Sequence, residues 1–204
     1  MIALVNYGLG NIRAFETIYK RLNIPVRVAN SADELAGAEK IILPGVGAFD
    51  GAMSMLQASG MRESLDDLVL NKRRPVLGIC VGMQIMARRS AEGYMSGLGW
   101  IQADVQKLCT TTAADKKILL PHMGWNDAFP VNGARLFKSL DAPRFYFLHS
   151  YYFAPDDEAC VLARTDYNGR FASAVQSVNI FGVQFHPEKS HNWGVQLLKN
   201  FAEM

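Results

Sequence analysis

The sequence predicts an α/β fold: a central, mostly parallel sheet with helices on both faces and a small antiparallel extension. Three observations carry the prediction. Short apolar runs alternate with helix-patterned segments through the first half of the chain, which is the signature of βαβ units. Beyond about Gly93 the texture changes to shorter strand-like pieces, which suit antiparallel pairing. Finally, 204 residues with half of them hydrophobic can bury one substantial core but are too few for two full domains.

Taken in order, Ile2 to Val5 reads as the first strand, and Gly8-Leu9-Gly10 as a turn into a helix from about Asn11 to Leu22. That helix carries one apolar stripe: Ile12, Phe15, Ile18, Tyr19 and Leu22. Pro25 to Val28 is the second strand and Lys40 to Leu43 the third, which ends in the loop Pro44-Gly45-Val46-Gly47. Helical pattern follows from about Phe49 to Asn71. Pro75 to Ile79 reads as a buried strand, and Met83, Ile85 and Met86 begin the next helix. In the second half, Val105 to Cys109, Arg144 to Leu148, Val161 to Arg164 and Phe171 to Val175 are strand-like. Phe181 to Phe185 is a last strand, before a helix from about Trp193 to Glu203 that buries Trp193, Leu197, Leu198 and Phe201.

Composition excludes several function classes. With 21 basic and 19 acidic residues and no long run of one sign, the chain lacks the footprint of a nucleic-acid or membrane-surface binder. No apolar stretch approaches a membrane span, and Met1 to Val5 is too short for a signal peptide. The three cysteines, Cys80, Cys109 and Cys160, are odd in number and have no Cys-x-x-Cys spacing. A reducing cytoplasm therefore fits better than a disulfide framework. The four histidines show no metal-ligand spacing, and no cofactor motif is present. A small substrate is expected.

Gly78-Ile79-Cys80-Val81-Gly82 runs from an apolar strand into a helix start, with the spacing of a nucleophile elbow. The sharp turn strains the central residue and crowds the flanking chain, so small residues are needed two positions to either side. The side chain is pushed out at the C-terminal strand ends, where ligands bind in open α/β folds, and the helix start favours a thiolate. The alternative is a core cysteine beside packing glycines. For Cys109 and Cys160, which lack those flanks, packing is the better reading.

A thiol nucleophile needs a base, and the base needs an orienting group. Only His186, in Gln184-Phe185-His186-Pro187-Glu188, follows an apolar strand and stands two residues from a carboxylate. In extended chain residues two apart face the same side, so Glu188 can reach the imidazole. His122 and His149 read as structural or substrate-wall residues, and His191 as surface. Acyl transfer also needs an oxyanion hole. The elbow supplies the Val81 N–H, and the loop at Val46 offers a second donor, unless that loop is an ordinary turn.

At this point the residues resemble a known family, the class I or triad-type glutamine amidotransferases. Gly78 to Gln84 resembles their nucleophile segment and His186-Pro187-Glu188 their base segment. Within it the chain is most similar to the glutaminase subunits of imidazole glycerol phosphate synthases, through Asn6 to Asn11, Pro44 to Phe49, Pro121 to Asn126, Tyr146 to Tyr152 and Gln184 to Ser190. The resemblance spans nearly the whole chain. It implies one type-1 amidotransferase domain over residues 1–204, with a flavodoxin-like fold. It implies that Cys80, His186 and Glu188 form a catalytic triad releasing ammonia from L-glutamine through a thioester. Val46 and Val81 would form the oxyanion hole, and Gly47, Gln84, His149, Ser150 and Tyr151 would hold the substrate. It further implies a heterodimer with a (β/α)8-barrel cyclase, contacted through Trp125, Tyr146 and Lys189. Asn6 stands where the histidine-pathway proteins usually have aspartate and Val81 where leucine is common, and Gly97 to Ile101 and Ser190 to Trp193 resemble instead a paralogous branch associated with surface-polysaccharide sugar amidation, which leaves the ammonia acceptor open between the two. A free-standing cysteine hydrolase is a further alternative, since fold and triad alone do not determine substrate.

Overall fold

The computed structural model describes residues 1–111 and 117–204. In chain order the elements are β1 (Ile2–Val5), α1 (Ile12–Arg21), β2 (Val26–Ala29), α2 (Ala32–Leu35), β3 (Lys40–Gly45), α3 (Phe49–Ala58), α4 (Arg62–Asp66), β4 (Val76–Cys80) and α5 (Val81–Gln84). The second half adds β5 (Arg89–Ser90), β6 (Ala103–Lys107), β7 (His122–Asp127), β8 (Phe129–Pro130), β9 (Arg144–His149), β10 (Tyr151–Pro155), β11 (Val161–Asp166), β12 (Arg170–Ser177), β13 (Ile180–Val183) and α6 (His191–Glu203).

The main sheet has the order β2-β1-β3-β4-β13-β12-β11-β8. Its first five strands are mutually parallel and reproduce the 2-1-3-4-5 order of flavodoxin-like sheets; the last three add on antiparallel. β1, β4 and β13 are buried along their whole length, as strands covered on both faces must be, which explains their nearly uninterrupted apolar sequences. β10, β6 and β5 form a separate small sheet, and β7 pairs with β9 as a ribbon. The antiparallel pieces expected from the sequence are thus divided among three sheets. Among the described residues no helix is long and apolar enough to cross a membrane.

Several expectations are corrected. The helical stretch from Phe49 breaks at Gly60, whose positive φ ends α3, and resumes as α4 with a π-helical turn at Asp67–Asn71. The helix expected from Met83 onward is a single turn. The carbonyls of Ile85, Met86, Ala87 and Arg88, which a longer helix would use internally, instead accept from the N–H groups of Leu98, Ile101, Gly99 and Gly97. Trp193 is half-buried rather than buried; Gly194 and Asn200 join Leu197, Leu198 and Phe201 on the inner face of α6. Cys109 is exposed and has no packing role, because its strand ends at Lys107.

Candidate active site

Register builds the site. β3 pairs with β4 so that Gly45 stands beside Cys80, and β13 pairs with β4 so that Val183 stands beside Ile79. The chain leaving β13 therefore passes the end of β4 immediately, carrying Gln184 and His186 to Cys80. Cys80 adopts φ +54° and ψ −113°, a conformation that costs a non-glycine residue on the order of 1–3 kcal/mol. The glycine flanks are required by space. A Cβ on Gly78 would meet the Gly82 carbonyl oxygen at 2.7 Å, and one on Gly45 the Gly82 nitrogen at 2.4 Å.

His186 is 2 % exposed, and its Nδ1 lies 2.9 Å from Glu188 Oε1. Burial alone would lower the imidazole's pKa, but hydrogen bonds to Cys80 and Glu188 and the negative charge of both outweigh it, leaving His186 pushed up to about 10. The imidazole is thereby held in its protonated form near neutral pH. His186 is pinned from behind as well. Its N–H donates to the Tyr146 carbonyl, while the Ser190 hydroxyl donates to the His186 carbonyl at 2.6 Å and accepts from the Tyr146 N–H. Tyr7, buried beside the elbow, donates to the Pro44 carbonyl at 2.8 Å and anchors the loop leading to Val46.

A cavity of about 320 Å3 opens above Cys80. Its walls include Val46, Gly47, Cys80, Val81, Gln84, His149, Ser150, Tyr151 and His186, all singled out from sequence, with Glu188 behind the imidazole. Glu92, Pro121 and Leu148 also line it and were missed. Glu92, whose Oε2 accepts from the Phe49 N–H at 2.9 Å, is the one carboxylate lining the cavity among the described residues. No local motif marks it; the turn after α5 brings it there. Trp125, Tyr146 and Lys189 gather on a neighbouring surface. Trp125 stacks on His191 at 5.2 Å and meets Tyr146 edge-on at 6.4 Å, and Lys189 Nζ lies 5.7 Å from the Tyr146 ring centre. A larger hollow of about 740 Å3, lined by residues from Asp127 to Arg144, contains none of the candidate chemistry. Among the described residues no cluster of His, Cys, Asp or Glu is placed to hold a metal.

His122 and His149 face each other across the β7–β9 ribbon, with Nδ1 of the first 3.0 Å from Nε2 of the second. Burial lowers both pKa values, to about 4 for His122 and about 3 for His149. In the unfolded chain they protonate near 6.5. Unfolding below that pH therefore takes up protons, so the stability these groups contribute is complete above about pH 6.5 and is lost as pH falls through the folded values. The melting temperature is expected to drop between pH 7 and pH 4.5. His149→Asn, which keeps a donor near the Nδ1 position but does not titrate, is expected to flatten that drop; an unchanged pH slope would contradict the buried neutral pair.

A family model for class-I glutamine amidotransferases matches residues 4–204. The imidazole glycerol phosphate synthase subunit HisH of Bdellovibrio bacteriovorus is 56 % identical over 205 residues, covering 100 % of both chains. The subunit of the same name from Leptospira borgpetersenii is 48 % identical, again over 100 % of both. A crystal structure titled glutamine amidotransferase superposes with a TM-score of 0.75 at 19 % identity, covering 100 % of this chain and 99 % of the other, which establishes the fold. The chain belongs to the class-I glutamine amidotransferase family, within the group of imidazole glycerol phosphate synthase HisH subunits.

Proposed function

We propose that this chain, as one amidotransferase domain, hydrolyses L-glutamine to glutamate and ammonia and delivers the ammonia to a (β/α)8-barrel cyclase, its partner in a heterodimer that forms imidazole glycerol phosphate in histidine biosynthesis. The observation that carries the reading is the convergence of the Cys80 thiol, the His186 imidazole and the Glu188 carboxylate beneath a cavity of amino-acid size. The names of the 56 % and 48 % identical relatives support the acceptor.

In this reading the Cys80 thiolate attacks the side-chain amide carbon. The oxyanion receives the N–H of Val81 and, once the loop peptide is suitably turned, that of Val46. The C–N bond then breaks as the imidazolium of His186 gives its proton to the departing ammonia. Water, deprotonated by the now neutral His186, attacks the thioester; the C–S bond breaks, the product acid leaves and gives its proton to solvent as glutamate, and Cys80 returns as the thiolate beside the protonated His186. Glu188 holds the imidazole in place throughout. Gln84 has its amide nitrogen engaged by the Tyr151 carbonyl and Gln184, so its oxygen is available to the substrate, together with Gly47 and the backbone of His149, Ser150 and Tyr151. Glu92 suits the α-ammonium group. Trp125, Tyr146 and Lys189 form the docking face, directly behind His186. A labile thiolate of this kind belongs in a reducing cytoplasm.

Glu92→Gln, which keeps the acceptor for the Phe49 N–H but removes the charge, is expected to raise KM for glutamine about tenfold with a smaller change in kcat, the scale of one lost charge-assisted hydrogen bond. An unchanged KM would remove Glu92 from the substrate site. The reading as a whole is tested by ammonia release from glutamine with and without the ligand-loaded cyclase. Turnover is expected with the partner and only slow turnover without it. Hydrolysis of peptides by the chain alone, with no glutaminase activity in the complex, would overturn it in favour of a free-standing hydrolase.

A further inference from the structure

Gln184 is fully buried, yet the triad gives it no task. Its place is dictated by the sheet: β13 ends at Val183 opposite Ile79, and the Gln184 N–H donates to the Ser173 carbonyl at 2.9 Å. Residues two apart in extended chain share a side, so Gln184 and His186 both approach Cys80. Nε2 of Gln184 lies 3.7 Å from the Cys80 sulfur. Resting on the reading of Cys80 as the nucleophile, we propose that Gln184 is a further catalytic residue, whose carboxamide N–H donates to the sulfur and holds it as the thiolate. The buried Gln84 amide, held by the Tyr151 carbonyl, keeps that carboxamide in the donating orientation.

The direction of these bonds follows from backbone groups that can act in only one way. The Tyr151 carbonyl can only accept, so the Gln84 atom 2.9 Å from it is the amide nitrogen. That nitrogen's second hydrogen goes to Gln184 at 3.0 Å, so the atom it meets is Oε1, which leaves Nε2 of Gln184 facing the sulfur. The same Tyr151 carbonyl accepts from His149 Nδ1 at 2.8 Å. A neutral His149 then accepts at Nε2 from His122 Nδ1, and His122 accepts at Nε2 from Asn126 Nδ2 at 3.1 Å. Asn126 is itself oriented by the Asp127 N–H, which donates to its Oδ1, and by the Asp166 carbonyl, which accepts from its Nδ2. Reversing Gln184 would place an oxygen against the thiolate and turn the amide nitrogen of Gln84 onto another nitrogen. Because α5 is a single turn, little helix dipole acts on Cys80, and discrete donors matter more.

The test measures alkylation of Cys80 by iodoacetamide in the full chain, followed by mass spectrometry, with exposed Cys109 as the internal standard. Gln184→Met, of similar length but with no donor, is expected to slow Cys80 alkylation at pH 7 about tenfold, the scale of one hydrogen bond to a charged group, while Cys109 reacts as before. The profile of rate against pH is expected to move to higher pH. Gln184→Glu, which keeps the acceptor for Gln84 but sets a carboxylate against the sulfur, is expected to slow it at least as much. That variant carries the test if the methionine chain fails to fold. Cys80 alkylation within about twofold of wild type, with an unmoved pH profile, would overturn the proposal; a role confined to packing would leave both unchanged. Alkylation needs no glutamine, so a chain that shows these effects but never releases ammonia would refute the glutaminase reading and leave this one standing.

Discussion

Cys80→Ala is expected to lower glutamine hydrolysis by the complex at least about 10^4-fold, the scale seen when a covalent nucleophile is removed from a triad enzyme, without unfolding the chain. The expectation combines chemistry with packing. No other thiol can substitute: Cys109 is exposed and Cys160 is half-buried, and neither lines the cavity above the elbow. Alanine retains the Cβ that the strained corner already accommodates and gives up one sulfur atom beside an existing cavity, so the loss in melting temperature should be a few degrees. The variant should still bind glutamine and the cyclase, because the cavity walls and the Trp125 face remain. Cys109→Ala and Cys160→Ala serve as controls and should turn over normally. Ammonia release and glutamine binding by calorimetry check the prediction together. Retained turnover in Cys80→Ala would end the thioester mechanism, and lost binding would mean that the cavity is not the glutamine site.

The triad was legible because each of its halves is local. Gly78 to Gly82 encodes the corner, and the two-residue spacing of His186 and Glu188 encodes their contact, later found at 2.9 Å. The main strands were legible for a related reason: strands covered on both faces are apolar at almost every position. What the sequence concealed depends on partners distant along the chain. The one-turn length of α5 is decided by the N–H groups of residues 97–101, which take the carbonyls that a helix would need. The His122–His149 contact exists only because β7 and β9 pair in one register, and β7 itself, with three exposed side chains among its six residues, gives a weak apolar signal. Glu92 reaches the cavity through that same turn after α5. The exposure of Cys109 and the half-burial of Trp193 reflect where β6 and the aromatic cluster around Trp125 happen to end, which no local pattern encodes.

The elbow's dependence on β3 leads to the largest expected effect on stability. Gly82→Ala should destabilise the fold by at least about 4 kcal/mol, the tail reserved for severe steric conflicts. A Cβ there would stand 1.9 Å from the Leu43 carbonyl oxygen, 2.9 Å from its carbon and 3.1 Å from the Pro44 carbonyl carbon. All three are backbone atoms, so no rotamer change relieves the overlap. β3 cannot move aside either, since it is held between β1 and β4 in the parallel sheet. Any relief must therefore shift α5 away from β3, carrying Val81 off the oxyanion position and separating Gly45 from Cys80. For a chain of this size the melting temperature should fall by roughly 10 °C or more, and such protein as folds should be inactive. Gly51→Ala is the matched control: Gly51 lies within α3 with nothing within 4 Å of its added Cβ, so it should be neutral or gain up to about 1 kcal/mol from helix propensity. If both variants melted within two or three degrees of wild type, the corner would not be clamped against β3, and the placement of Cys80 would need another cause.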